Sequence, residues 1–323
     1  MSDETSTLNF QIEIEDAGKR LDAFLAEKIA DWSRSRLKKL IDDGDVLVNE
    51  SAAKSSHKLR QNDVIEVELT EAPVETFEPE NIPLEIIYED EHLAVVNKKA
   101  GMVVHPGAGV KSGTLANAIA YHFNFEQSSI EYQQSYFRVG IVHRLDKNTS
   151  GLIVVAKSES VHEAVAEQFR NREVYKNYVA LVHGETRENT GKIDAGIGRD
   201  KRNPVKMAVQ KDGRNALSLW RVRQRFEKFT LLDIEIKTGR THQIRVHLSF
   251  INHPVVGDET YNEGRDKTVA NVKIRQAIAE LNRPFLHAEK LSFTHPKTKG
   301  KMDFYAPLPV VLTDFLQVIK SEM

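Results

Sequence analysis

Residues 142–157 read VHRLDKNTSGLIVVAK. The run sets one carboxylate, Asp146, between Arg144 and Lys147, then closes on Ser150-Gly151 and a continuous apolar stretch. An unbroken apolar run such as LIVVAK (152–157) signals a strand buried on both faces. The acid therefore lies in a turn at the entrance to the core. Its charge pattern allows two readings. In one, the turn is a surface feature with a satisfied salt bridge. In the other, Asp146 is a nucleophile or base whose charge a cation holds in place.

Strand-like segments dominate on either side. IIYEDEHLAVVNK (86–98) is two short apolar strands around an acidic turn, a hairpin signal. NYVALVHG (177–184), ALSLWRVRQRF (216–226) and FTLLDIEIK (229–237) are further strands, and the last leads into a helix through TGRTHQIRVHL (238–248). Helical spacing is confined to residues 112–123, with Ser112 and Thr114 near the start, and to 159–174, with Val161, Ala164, Val165 and Phe169 inward. Runs of βαβα units are missing, so a doubly wound parallel sheet is excluded and an α+β region is expected.

A second unit precedes this one. KRLDAFLAEKIA (19–30) repeats apolar residues at helical spacing, and Ser33 is placed to cap a second helix that stops at Gly44. DVLVNE and DVIEVEL then alternate as strands around the loop KSSHKLRQN. The acidic, proline-containing EAPVETFEPENIP (71–83) reads as a linker. The expected boundaries are 15–75 for the small unit, 76–83 for the linker and 84–318 for the large one.

Composition bounds the function. The 323 residues include 45 Lys and Arg against 47 Asp and Glu, a net charge of −2 that hides local basic patches. These gather at Arg34, Arg36, Lys38 and Lys39; at Arg170, Arg172 and Lys176; at Lys201, Arg202 and Lys206; and at Arg221, Arg223 and Arg225. No apolar run is long enough to span a bilayer, and the acidic start MSDETSTLNF lacks the order of a signal peptide. The absence of cysteine excludes disulfides and thiolate metal sites and fits a reducing compartment. A cytoplasmic protein, without a membrane partner and monomeric, is the expectation. A histidine metal site from His143, His242, His247, His253, His287 and His295 is disfavoured, since His242 and His247 are five apart and miss the i, i+4 pairing. No G-x-S-x-G elbow supports a serine nucleophile.

Taken together, HRLDKNTSGLIVVAK, RxxxKNYVALVHG, TGRTHQIRVHL, NHPVVGDETY and RPFLHAEKLSFTHP resemble, in order and spacing, the RluA/RluD family of pseudouridine synthases across residues 80–312. Residues 18–69 resemble the alpha-L RNA-binding motif of a small-subunit ribosomal protein. The resemblance implies the pseudouridine synthase fold, with a mixed, mostly antiparallel sheet flanked by helices and loops. It implies isomerisation of uridine in RNA, most often large-subunit (23S) ribosomal RNA free or in an assembling subunit, with no cofactor. A transfer RNA substrate and a non-catalytic assembly role are the alternatives. Residue by residue, Asp146 matches the essential aspartate, Tyr178 an active-site tyrosine that packs on the base and is proposed as a base, and Arg245 the basic partner of the aspartate. Arg144 matches an arginine that fills the stack when the uridine swings out, and Leu286 an apolar residue under the ring. Arg34, Arg36, Lys38, Lys39, Lys54 and Lys58 are the expected phosphate contacts of the small unit. One departure stands out: many members have Ala-x-Thr where this chain has Ala216-Leu217-Ser218, which keeps the hydroxyl.

Overall fold

The protein is described as a computed structural model covering residues 6–29, 34–69, 78–106, 110–124, 140–203 and 206–322. The chain divides into two compact units, Met1–Thr76 and Phe77–Met323. In the first, β1 (Ser6–Gln11), α1 (Leu21–Lys28), α2 (Arg34–Asp43), β2 (Val46–Val48), β3 (Ser51–Ala52) and β4 (Val64–Leu69) follow in order. The four strands form a sheet of order β1-β4-β2-β3, all antiparallel. Leu21, Phe24 and Leu25 of α1 and Leu37, Leu40 and Ile41 of α2 bury against Val46, Val48, Ile65 and Val67. Each such side chain contributes roughly 1.5–3 kcal/mol on leaving water. Gly44, at φ +94°, ends α2 in a conformation that a β-carbon disfavours.

The small unit begins earlier than residue 15. β1 pairs along its whole length with β4, and Phe10 packs edge-on against Phe24 at 5.8 Å. The alternation Leu8, Phe10, Ile12 carries a strand signal, but the adjoining acidic start obscures it. The expected cap Ser33 and residues 70–77 at the front of the linker lie outside the described residues.

The large unit contains β5 (Ile86–Glu89), β6 (Leu93–Lys98), α3 (Leu115–His122), β7 (Ser150–Ala156), α4 (Glu159–Arg170), β8 (Tyr175–His183), β9 (Thr190–Asp194), β10 (Ile197–Arg199), β11 (Met207–Val209), β12 (Leu217–Arg225) and β13 (Phe229–Ile236). α5 (Gln243–Phe250), α6 (Val272–Leu281), β14 (Leu286–Thr294), β15 (Lys301–Tyr305) and α7 (Val310–Ser321) complete it, the last helix running beyond residue 318. Among the described residues nine strands form one sheet, β5-β6-β7-β14-β8-β13-β12-β9, with β15 beside β14. Every pairing is antiparallel except β7 with β14. This is an α+β fold with a mixed, mostly antiparallel sheet. No helix among the described residues is long and apolar enough to cross a membrane.

Both sheet faces are covered, which is why its central strands read as unbroken apolar runs. On β8, Val179 and Leu181 point to α6 and α7, while Tyr178, Ala180 and Val182 point to Leu145, Leu286 and α5. On β7, Ile153 and Val155 meet α3, and Leu152 and Val154 meet α4. α3 is capped by Thr114, whose hydroxyl accepts from Asn117 N–H in a reciprocal box.

The parallel join rests on Gly151. Its φ is +122°, and a β-carbon there would sit 2.3 Å from Ala288 O and 2.6 Å from Ala288 N. Backbone cannot yield at that distance. Gly151→Ala is expected to destabilise the large unit by about 2–4 kcal/mol, combining overpacking with an unfavourable φ. Thermal denaturation should then show Tm lowered by roughly 5–15 °C; an unchanged Tm would show that the two strands can separate freely.

Candidate active site

The residues singled out in the large unit converge from four elements. Asp146 occupies the turn before β7, Tyr178 lies on β8, Arg245 on α5 and Leu286 at the start of β14. Leu145, Tyr178, Ala180 and Leu286 share one apolar cluster. β8 and β14 are in register with Leu286 opposite Ala180 and Ala288 opposite Tyr178. Asp146 stands at the edge of that cluster with its side chain 21% exposed.

The Asp146 turn is closed by Thr149 N–H donating to Asp146 O at 3.1 Å. It is also tied from beneath. Lys147 is exposed, but its carbonyl accepts from Gly101 N–H at 2.9 Å and from Lys98 Nζ at 3.2 Å. Lys98 is 1% exposed and also donates to Lys99 O and Met102 O at 2.9 and 2.8 Å. Three carbonyls thus take its three hydrogens. Burial pulls its pKa down to about 7, with the Arg283 charge adding to the fall and Asp146 opposing it.

On the C-terminal side, Arg283 donates to Ser150 Oγ and Leu286 O, each at 2.9 Å. His287 Nε2 donates to Ala306 O at 3.0 Å, so its Nδ1 accepts the Ser150 hydroxyl at 2.9 Å. His247 repeats the arrangement: Nε2 to Ala195 O at 3.0 Å, and Nδ1 accepting from Ser218 at 2.9 Å. Ser218, the departure noted in the sequence, supplies the hydroxyl that ties β12 to α5; its Oγ also accepts from Gln243 Nε2 at 3.1 Å. Burial lowers the pKa of both histidines, consistent with neutral scaffolding. Among the described residues no cluster of three or more His, Asp or Glu is arranged to hold a metal.

Arg245 joins two carboxylates. Its Nε and Nη2 make a bidentate contact with Asp258 at 2.6 and 2.8 Å, and Nη1 reaches Asp146 Oδ2 at 3.2 Å. The guanidinium lies 4.9 Å from the centre of the Tyr261 ring. Burial works against its charge, but Asp258 first and Asp146 second more than offset it, and its pKa is raised. Tyr178 is pushed the other way in function. Burial and then the Asp146 charge raise its phenol's pKa, so it rests protonated.

One contributor escaped the sequence reading, and another was weighed there only as a metal ligand. Asp258, 1% exposed, sits in NHPVVGDETY, where an acid directly after an apolar turn was the available signal. His242 begins α5 at φ +56°, a left-handed conformation costing about 1–2 kcal/mol without glycine. Its Nδ1 is 2.8 Å from Tyr261 Oη and its Nε2 is 4.0 Å from Asp146 Oδ1. Burial lowers its pKa although Asp146 pulls upward.

Arg144 is exposed and makes no hydrogen bond among the described residues. In the small unit Lys38, Lys54 and Lys58 are exposed. The loop carrying the latter two docks on the start of α1, through Leu21 N–H to His57 O at 2.8 Å and Asp22 N–H to Ser55 O at 3.2 Å. The side chains of Arg34, Arg36 and Lys39 lie outside the described residues.

The mixed sheet places an Asp–Arg pair at the edge of a buried tyrosine and leucine. The chain belongs to the RNA pseudouridine synthase family and is an isomerase acting on RNA: residues 92–250 match the RNA pseudouridylate synthase family and residues 19–65 the S4 domain. It is 40% identical to "Uncharacterized RNA pseudouridine synthase YlyB" of Bacillus subtilis, over 95% of this chain and 96% of that one. It is 39% identical to "Ribosomal large subunit pseudouridine synthase D" of Xanthomonas campestris, over 95% and 90%. The fold is shared with the solved "Human RNA Pseudouridylate Synthase Domain Containing 4", at TM-score 0.56 and 23% identity over 73% of this chain and 93% of that one.

The two carboxylates on Arg245 are unequal. Asp258→Ala leaves a buried guanidinium short of its bidentate partner and is expected to cost about 3–5 kcal/mol. Asp146→Ala, at a more exposed position with Asp258 retained, should cost about 1 kcal/mol or less. Urea denaturation of the two variants checks this; equal losses would contradict Asp258 as the anchor.

Proposed function

We propose that this synthase isomerises specific uridines of large-subunit (23S) ribosomal RNA, free or in an assembling subunit, with Asp146 as the catalytic carboxylate. The observation that carries the reading is the 3.2 Å contact from Arg245 to Asp146 at the edge of the Tyr178–Leu286 cluster. The names borne by relatives and the S4 domain support ribosomal RNA as substrate. Modification of rRNA during ribosome biogenesis in the cytoplasm, by a monomer, is the setting this implies.

The chemistry suits these residues. The bond from ribose C1′ to N1 breaks, the uracil turns, and a bond from C1′ to C5 forms. C5 loses a proton and N1 gains one, so atoms and electrons balance without a cofactor. The base must first leave the stack, at a cost of a few kcal/mol, and Arg144, exposed and without a hydrogen bond among the described residues, is placed to fill the gap. Tyr178 and Leu286 then wall the detached uracil from water.

Attack on C1′, attack on base C6 and elimination to a glycal all use the Asp146 carboxylate, which Arg245 holds in place through a charge-assisted contact at 3.2 Å. Tyr178 is a poor base while that charge stands beside it. Once Asp146 is esterified its charge is gone, and the Tyr178 pKa moves down, the direction that late removal of the C5 proton needs.

Asp146→Asn is expected to abolish pseudouridine formation while retaining RNA binding, read by pseudouridine mapping across ribosomal and transfer RNA with and without the protein. Isomerisation by the variant would sink the assignment, and signal confined to transfer RNA would move the substrate. Deleting residues 1–75 should lower modification of ribosomal RNA and flatten the salt dependence of binding. Unaffected modification would exclude the small unit as the targeting element.

A further inference from the structure

The basic patch of Arg170, Arg172 and Lys176 takes no part in the chemistry above, yet it adjoins the site. Lys176 and Tyr178 alternate to the same face of β8, about 6.6 Å apart along the strand. Lys176 is 7% exposed. Unlike Lys98, whose Nζ has three carbonyl partners, Lys176 Nζ makes no hydrogen bond or ion pair among the described residues.

Its neighbours supply no negative charge. Nζ lies 5.3 Å from the centre of the Phe169 ring, at the end of α4. His143, one residue before Arg144, stacks on the same ring at 4.6 Å and 26°. His143 Nε2 accepts from Val154 N–H at 3.0 Å, and burial together with the Lys176 charge brings its pKa down to about 3, so it is neutral. The charged group acting on Lys176 is another cation, Lys237, itself paired with Glu235. Arg170 is engaged by Glu163, and Arg172 is exposed at φ +62° on the turn leaving α4.

A buried ammonium without an anion is costly; burial, and then the Lys237 charge, bring the Lys176 pKa down to about 8, which leaves it mostly charged at pH 7. The sealed atoms without partners among the described residues are Asn177 Oδ1 and Thr186 Oγ1. Lys176 Nζ is not among them, so it is not fully sealed from solvent.

We propose that Lys176 is the centre of a phosphate-binding subsite, walled by Phe169 and His143, that grips a backbone phosphate of the RNA beside the flipped uridine. The inference rests on the reading above that RNA enters this cleft. The subsite holds the ribose-phosphate chain near Tyr178 while the base turns. Phe169 fixes the height of the ammonium, and neutral His143 adds no competing charge. Arg172 and Lys237 raise the local potential along the approach.

Binding of a fluorescein-labelled oligouridylate of about twelve nucleotides, within single-strand site sizes, tests this in the full-length Asp146→Asn background. Adding Lys176→Met keeps the packing on Phe169 and removes the charge. Affinity is expected to fall about five- to tenfold at low salt and to converge with the parent at high salt. The slope of log K against log salt should shrink by about 0.7, one single-strand phosphate contact. Lys176→Arg should restore the slope. An unchanged slope overturns the proposal, whether affinity is unchanged or lowered equally at all salts. Loss of cooperative melting in both Lys176→Met and Lys176→Gln also overturns it, in favour of a packing role. Turnover plays no part in this readout, so isomerisation persisting in Asp146→Asn would defeat the catalytic reading without touching the slope.

Discussion

The parallel pairing of β7 with β14 joins two antiparallel halves of the catalytic sheet, β5-β6-β7 on one side and β14-β8-β13-β12-β9 on the other. The strands meet at His287–Ser150 and Ala288–Gly151, and the approach is closer than any β-carbon at residue 151 allows. Three of the site's residues are placed around that join. Asp146 leads into β7, and Leu286 opens β14. Tyr178 sits opposite Ala288 on the next strand. A parallel pair cannot be joined by a tight turn, so long segments connect β7 to β14, and they carry the rest of the machinery.

Charge is distributed around the join in layers. Asp258 orients Arg245, and Arg245 reaches Asp146; the outer carboxylate is sealed and the inner one is open to solvent. Lys98 and Arg283 hold the two sides of the turn by donating to carbonyls and to Ser150, so buried cations are spent on geometry. Burial alone brings the pKa of Arg283 down to about 10, a measure of how dry the region is. In such surroundings Arg245 supplies a hydrogen bond to the Asp146 carboxylate, and burial, with that carboxylate nearby, keeps Tyr178 protonated.

Much of this was legible beforehand for local reasons. LIVVAK and NYVALVHG announce strands covered on both faces, and both are. The hairpin around EDEH is closed by Asp90, which accepts from His92 and Leu93 N–H at 2.7 and 2.9 Å. Asp146, Tyr178 and Arg245 were found through motif order, and the fold draws them to one cluster edge. β1 was missed because its partner β4 lies more than fifty residues away, as the Ser6–Leu69 register shows. Asp258 was missed because its local signal, an acid directly after an apolar turn, does not say which distant cation it will anchor.

The sequence by itself determined the class of fold and the two-unit organisation, because strand and helix periodicity are properties of short stretches, and its motif order carried the family resemblance that singled out Asp146, Tyr178 and Arg245. Only the tertiary structure decided which cation serves which purpose. Arg144 and Lys147 flank Asp146 in the chain, yet the contact to its carboxylate comes from Arg245, 99 residues on. Lys98 and Lys176 are both buried lysines at strand positions, but one is saturated by carbonyls and the other has no anionic partner among the described residues. That difference arises from the carbonyls that distant loops bring within reach, and no periodicity in the chain encodes it.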